Sequence, residues 1–136
     1  MRRLLLVLLL CAPAYADDSR YNSVRDNVFW PQLYADSYVT LYCGFLRPAG
    51  ARVTVEHVYP ASWIAAANGC PNRANCPVEA YRAASSDLHN LWPAHRRYNS
   101  SRGNQPFAEI PGEVMRFPQD NCDFERTSGS GAVVEP

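Results

Sequence analysis

The sequence predicts a small α+β domain stabilised by disulfides. Three observations carry this expectation. Segments with period-two apolar alternation are interspersed with short segments at helical spacing. Removing a 16-residue leader from the 136 residues leaves 120, a length that suits one domain with a modest core. The leader also takes Cys11 with it, so Cys43, Cys70, Cys76 and Cys122 remain, an even number in an oxidising compartment.

The leader is read from Met1, Arg2 and Arg3 as a basic start, Leu4 to Leu10 as an apolar run too short to span a bilayer, and Ala14-Tyr15-Ala16 as a small-residue cleavage signal. Cleavage is predicted after Ala16. A lipidated start at Cys11 is the weaker reading, because Leu10 is bulky for the residue before a lipidated cysteine. Residues 17–136 are expected to form one periplasmic or secreted domain, a monomer without a membrane segment.

A helix is predicted from Ser19 to Tyr34, with Ser19 as cap, Val24, Val28 and Phe29 at helical spacing, and Pro31 bending or ending it. "SYVTLYCGF" (37–45) reads as a strand, and "ARVTVEHV" (51–58) as a second, alternating strand; a hairpin-like pair of the two is the simplest arrangement. "ASWIAAAN" suits a short helix closed by Asn68-Gly69, and "VEAYRAASSD" another. The intervening "CPNRANCP" is a loop that a Cys70–Cys76 bond would clip, leaving Cys43 for Cys122, one of three possible connectivities. "DLHNL" is expected as a brief strand before a helix over "PAHRRYNSSRGN", with Pro93 in its first turn and Gly103 as its C-terminal cap.

All 13 basic residues are arginine, and the mature chain carries 11 of them against 13 acids, which does not mark a general nucleic-acid binder. Arg96, Arg97 and Arg102 nevertheless fall in a segment without acids between Asp87 and Glu109, and guanidinium forks suit phosphate oxygens. A solvated helix face explains the same charges equally well, and Arg102 is evenly balanced between a DNA-backbone contact and a salt bridge.

Glu56 and His57 are the sharpest candidates for chemistry. Taken alone such a pair is usually structural, and on a regular strand the two face opposite sides unless the strand ends, which Pro60 allows. Glu56 offers a hard oxygen for a divalent metal, Asn99 a second, and His57 can take a proton from water near neutral pH. Arg73, inside the clipped loop, could brace a phosphate. Together they describe metal-assisted phosphodiester hydrolysis. His89 and Asn90 are expected to orient a turn by hydrogen bonds, and Asn104 to brace a loop. Trp63 and Trp92 could stack on bases, but packing into the core is the favoured reading.

"VEHVYP", "NRANCP", "SDLHNLWP" and "NSSRGNQPF", in this order, resemble the endonuclease I family of periplasmic and secreted bacterial DNases. The resemblance implies a ββα-metal (His-Me finger) core, Glu56 and Asn99 as metal ligands, His57 as general base and Arg73 as the phosphate-binding arginine. It implies a low-specificity endonuclease acting on DNA, with RNA as an alternative, using Mg²⁺, or else Mn²⁺ or Ca²⁺. Two departures stand out: Ser100-Ser101 replaces a Gly-Asp pair in the family motif, and family members continue past a segment like "VVEP", so truncation is expected. A non-catalytic exported remnant is therefore the alternative function, and a zinc hydrolase a third.

Overall fold

A computed structural model describes residues 19–112 and 116–136; the leader expected over residues 1–16 lies outside the described residues. The chain opens with α1 (Ser19–Val24), which continues in π-helical form over Arg25–Leu33. Pro31 sits inside this segment and does not end it. Proline has no N–H to donate within the segment, and Gln32 Nε2 next to it donates to Asn27 O at 2.8 Å. The segment buries Phe29 and Trp30 in an aromatic cluster with Tyr38 and Leu91, against which Val53 and Val55 pack.

The strand expected over 37–45 is corrected. Only β1 (Tyr38–Val39) is extended; it pairs antiparallel with β2 (Leu46–Arg47) across a turn at residues 41–44. The strand-prone composition yields to side-chain and covalent constraints. Thr40 Oγ1 donates to Tyr42 O at 2.8 Å and accepts from Phe45 N at 3.2 Å, while Cys43, bonded to Cys122, turns through φ 63° beside Gly44 at φ 57°.

The expected pairing of the second strand is corrected too. β3 (Thr54–His57) pairs antiparallel with β4 (Leu91–Ala94), joining Thr54 to Ala94 and His57 to Leu91. β3 is not half solvated: one face meets the Phe29 cluster, and on the other Glu56 is buried beside Tyr42. "DLHNL" begins as a 3₁₀ turn over Leu88–Asn90, closed by Asp87 accepting from His89 N, and becomes strand only at Leu91. Pro93 lies in β4 rather than in the helix. Its carbonyl accepts from Leu41 N at 2.8 Å, on the edge away from β3, so the missing N–H removes no bond from the β3–β4 ladder.

α4 (Arg96–Arg102) follows at once, with His95 as N-cap and Gly103 at φ 60° closing its end. Two antiparallel strands and a helix packed on β3 thus form a ββα unit within an α+β fold. α2 (Ala61–Ala67) and α3 (Glu79–Ser85) pack together around Ile64, Ala65 and Tyr81. The Cys70–Cys76 bond clips the loop between them, which carries a 3₁₀ turn at Arg73–Asn75. β5 (Glu125–Arg126) and β6 (Val134–Glu135) pair antiparallel; Phe124 and Val134 enter a second core with Tyr42, Ala94 and Tyr98. Trp63 is half-buried against Tyr59, but Trp92 stays 45% exposed, contrary to the packed expectation. Among the described residues no helix is long and apolar enough to cross a membrane.

Candidate active site

The end of β3, the start of α2, the clipped loop and the C-terminal half of α4 surround a cleft of about 490 Å³. Glu56, His57, Arg73, Asn99, Arg102 and Asn104 all line it. Residues spread over 49 positions are brought together because β4 returns the chain alongside β3 and delivers α4 across it.

Glu56 is 3% exposed, and both of its side-chain hydrogen bonds described fall on one oxygen. Oε1 accepts from Tyr42 OH at 2.7 Å and from Arg102 Nη1 at 2.8 Å. Burial pushes the Glu56 carboxyl above the ordinary glutamate range, against the opposing pull of Tyr42 and Arg102. The same burial, reinforced by the Glu56 charge, raises the Tyr42 phenol, so Tyr42 stays a hydrogen-bond donor.

His57 Nε2 lies 2.9 Å from Ser85 O at the end of α3. A carbonyl only accepts, so Nε2 carries the proton and Nδ1 is the basic nitrogen of the neutral ring. The ring also meets Tyr21, with centroids 5.3 Å apart. Asn99 is oriented through its nitrogen: Nδ2 donates to Thr54 Oγ1 at 3.1 Å and Val55 O at 3.2 Å, which spends the amide donors on β3 and leaves Oδ1 as the group for a ligand.

Arg73 is an exposed residue on the cleft wall, anchored by the Cys70–Cys76 clip and by Asn72 Oδ1 accepting from Asn75 N. Asn104 stands at the rim, where Nδ2 reaches Ser62 Oγ at 3.5 Å. Asn90 holds the turn after β3: its Oδ1 accepts from Tyr59 N at 2.6 Å and its Nδ2 donates to Tyr59 O at 2.9 Å.

Two of the expected nucleic-acid contacts are engaged within the fold, and His89 keeps to its turn. Arg102 is 2% exposed and cannot serve as a DNA-backbone contact; besides Glu56, it donates to the carbonyls of His57, Val58 and Gln105. Arg97 leaves the cleft, binding Asp120 at 2.6 Å and lying over the Phe117 ring. His89 does not line the cleft: its side chain is 97% exposed on the Leu88–Asn90 turn, 2.9 Å from Asp87. Arg96 remains an exposed position on α4.

Tyr42 was invisible as a site residue in the sequence, because "TLYCGF" reads as strand core and only the turn at Cys43 aims the hydroxyl at Glu56. Ser101 is buried with an unpartnered Oγ, while its carbonyl accepts from Arg126 at 2.8 Å.

The family model for Endonuclease I matches residues 13–136. The chain is 28% identical to the "Extracellular deoxyribonuclease" of Aeromonas hydrophila over 141 positions, covering 84% of this chain and 60% of that protein. It is 29% identical to the "Endonuclease-1" of Buchnera aphidicola subsp. Acyrthosiphon pisum over 116 positions, covering 78% of this chain and 42% of that protein. The chain therefore spans about half the length of these relatives, and no solved structure matches it. A match over nearly the whole sequence is decisive on descent: the chain belongs to the endonuclease I family.

Proposed function

We propose that this chain is an exported, metal-dependent endonuclease that hydrolyses DNA with little sequence preference, through a ββα-metal finger made of β3, β4 and α4. The observation that carries the reading is the convergence of Glu56, His57, Arg73 and Asn99 on one cleft. DNA as substrate is supported by the relative named as an extracellular deoxyribonuclease, and export by that name together with the two disulfides.

Among the described residues no group of three or more His, Cys, Asp or Glu is placed to hold a metal. A single carboxylate with a single amide oxygen still fits a hydrated Mg²⁺, which keeps several waters and takes the rest of its shell from phosphate. Glu56 would supply one oxygen, with Oε1 already fixed by Tyr42 and Arg102, and Asn99 would supply Oδ1. Such an ion, when bound, offsets the negative charge that builds on the phosphate and leaving oxygen.

The chain's own groups do the rest. His57 Nδ1 takes a proton from the attacking water, and Ser85 O holds the ring in the tautomer that makes this possible. Arg73, which lines the same cleft, pairs with a non-bridging phosphate oxygen. Asn90 fixes the backbone at Tyr59, just past His57, and Asn104 borders the entrance. Contacts of these kinds reach phosphate, not base edges, which favours low specificity. Plasmid digestion tests the function: nicking with Mg²⁺ that stops in EDTA is expected, and a folded sample that leaves plasmid intact with Mg²⁺, Mn²⁺ and Ca²⁺ refutes it.

A further inference from the structure

The arginines divide into two groups by what they face. Arg20 and Arg82 share Glu79, Arg25 holds Asp26 through two bonds, Arg97 holds Asp120, and Arg102 holds Glu56. Among the described residues, Arg47, Arg73, Arg96 and Arg116 have neither a salt bridge nor a side-chain hydrogen bond, Arg116 lying over the Phe117 ring instead, and Arg52 reaches only the already engaged Asp26, at 3.8 Å. Arg47 Nε is moreover buried without a partner, a donor whose desolvation nothing in the fold offsets.

Three of these cations share one place. Arg73 lines the cleft, whereas Arg47, Arg52 and Arg96 line one groove of about 390 Å³ together with Thr54 and His95, and no carboxylate is among the described residues lining that groove; Asp120, in the pocket next to it that Arg47 and His95 also line, is taken by Arg97. Groove and cleft take neighbouring residues of β3 and α4: Thr54 borders the first and Val55 the second, and Asn99, which lines the cleft, donates to Thr54 Oγ1. A solvated helix face would gather neither a β2 arginine nor one from the loop before β3 around Arg96.

We infer that Arg47 and Arg96, flanked by Arg52, form a track for the phosphates of the same strand beyond the scissile one. This rests on the cleft being the nuclease centre. A row of cations leading out of a phosphodiester site suits a polyanion with regular charge spacing better than a single nucleotide. From Glu56 to Thr54 the strand advances about 7 Å, so the track meets phosphates that flank the scissile one. It also redraws the basic patch: of the three arginines clustered in sequence, only Arg96 belongs to it, and its companions come from 44 to 49 positions earlier.

The test is binding of a fluorescein-labelled 20-base-pair duplex, titrated over a salt series in EDTA with the intact disulfide-bonded chain. Arg47→Ala with Arg96→Ala should weaken binding for any sequence and flatten the slope of log K against log salt by about two, near one per lost phosphate contact. Arg20→Ala, whose guanidinium sits on Glu79, should leave the slope unchanged. Should the double variant lose its near-native circular dichroism, Arg96→Ala alone, at an exposed helix position, should flatten the slope by about one. A slope unchanged in the folded variant overturns the track, even if plasmid is still cut. A wild-type chain that shows the track in binding but never cuts plasmid overturns the nuclease reading instead.

Discussion

Replacing Arg102 by alanine separates a buried clamp from a DNA contact. The guanidinium is 2% exposed and donates to Glu56 Oε1, His57 O, Val58 O and Gln105 O at 2.7 to 3.1 Å. Removing it leaves a carboxylate in a low-dielectric position with only Tyr42 beside that oxygen, and three carbonyls lose a donor. Breaking one side of such a pair costs about 3–5 kcal/mol, a large share of a total stability of about 5–15 kcal/mol. At roughly 4 °C per kcal/mol for a domain of this size, Tm should fall by about 12–20 °C. Calorimetry or thermal circular dichroism reads this directly. Pairing Arg102→Met with Glu56→Gln should recover part of the loss, because no uncompensated charge then remains. A Tm within about 2 °C of wild type, accompanied by weaker duplex binding, would refute the clamp and restore Arg102 to the DNA surface.

His57→Ala should slow plasmid cleavage by about 10²–10⁴-fold while the salt-dependent duplex affinity is retained; near-normal turnover would remove His57 as the base. Asn99→Ala should raise the Mg²⁺ concentration needed for half-maximal cleavage, and an unchanged metal titration would exclude Oδ1 as a ligand. A pH test falls on Tyr98, whose phenol is pushed up to about 12 by burial first, then by its 2.5 Å hydrogen bond to Asp120. A folded pKa above the ordinary 10.0 means this contribution is present below pH 10 and lost as pH rises through about 12. Asp120 has the opposite sign: the same hydrogen bond, with Arg97, lowers its pKa, so its contribution is present above the ordinary carboxylate range and lost as pH falls through the folded value. Tyr98→Phe should flatten Tm against pH at both ends, and an unaltered profile would show the bond to be inconsequential.

Local signals in the sequence are strongest where one short stretch contains its own punctuation. Asn68-Gly69 ends α2 and Gly103 ends α4, with both glycines at positive φ, 73° and 60°. Glu56, His57, Asn99 and Arg73 could be named because their residue types suit the chemistry and because four ordered motifs resemble a known family. Strand pairing was less legible. "TLYCGF" has strand composition, yet the Cys43–Cys122 bond and the Thr40 hydrogen bonds fold it back on itself. β3 then takes its partner from Leu91–Ala94, because apolar faces on both sides favour the interior over a local hairpin.

Residue types and motif order by themselves singled out the side chains proposed for hydrolysis, and pointed to the family this chain belongs to. The tertiary structure alone decided which arginines are neutralised by an acid and which are left without one. Charge is carried by the residue, but a guanidinium's role depends on the carboxylate or carbonyl that folding brings within 3 Å of it. Arg97 and Arg102 met Asp120 and Glu56, while Arg47 and Arg96 came together across a sheet and a helix beside the cleft, without an acid among the residues lining their groove.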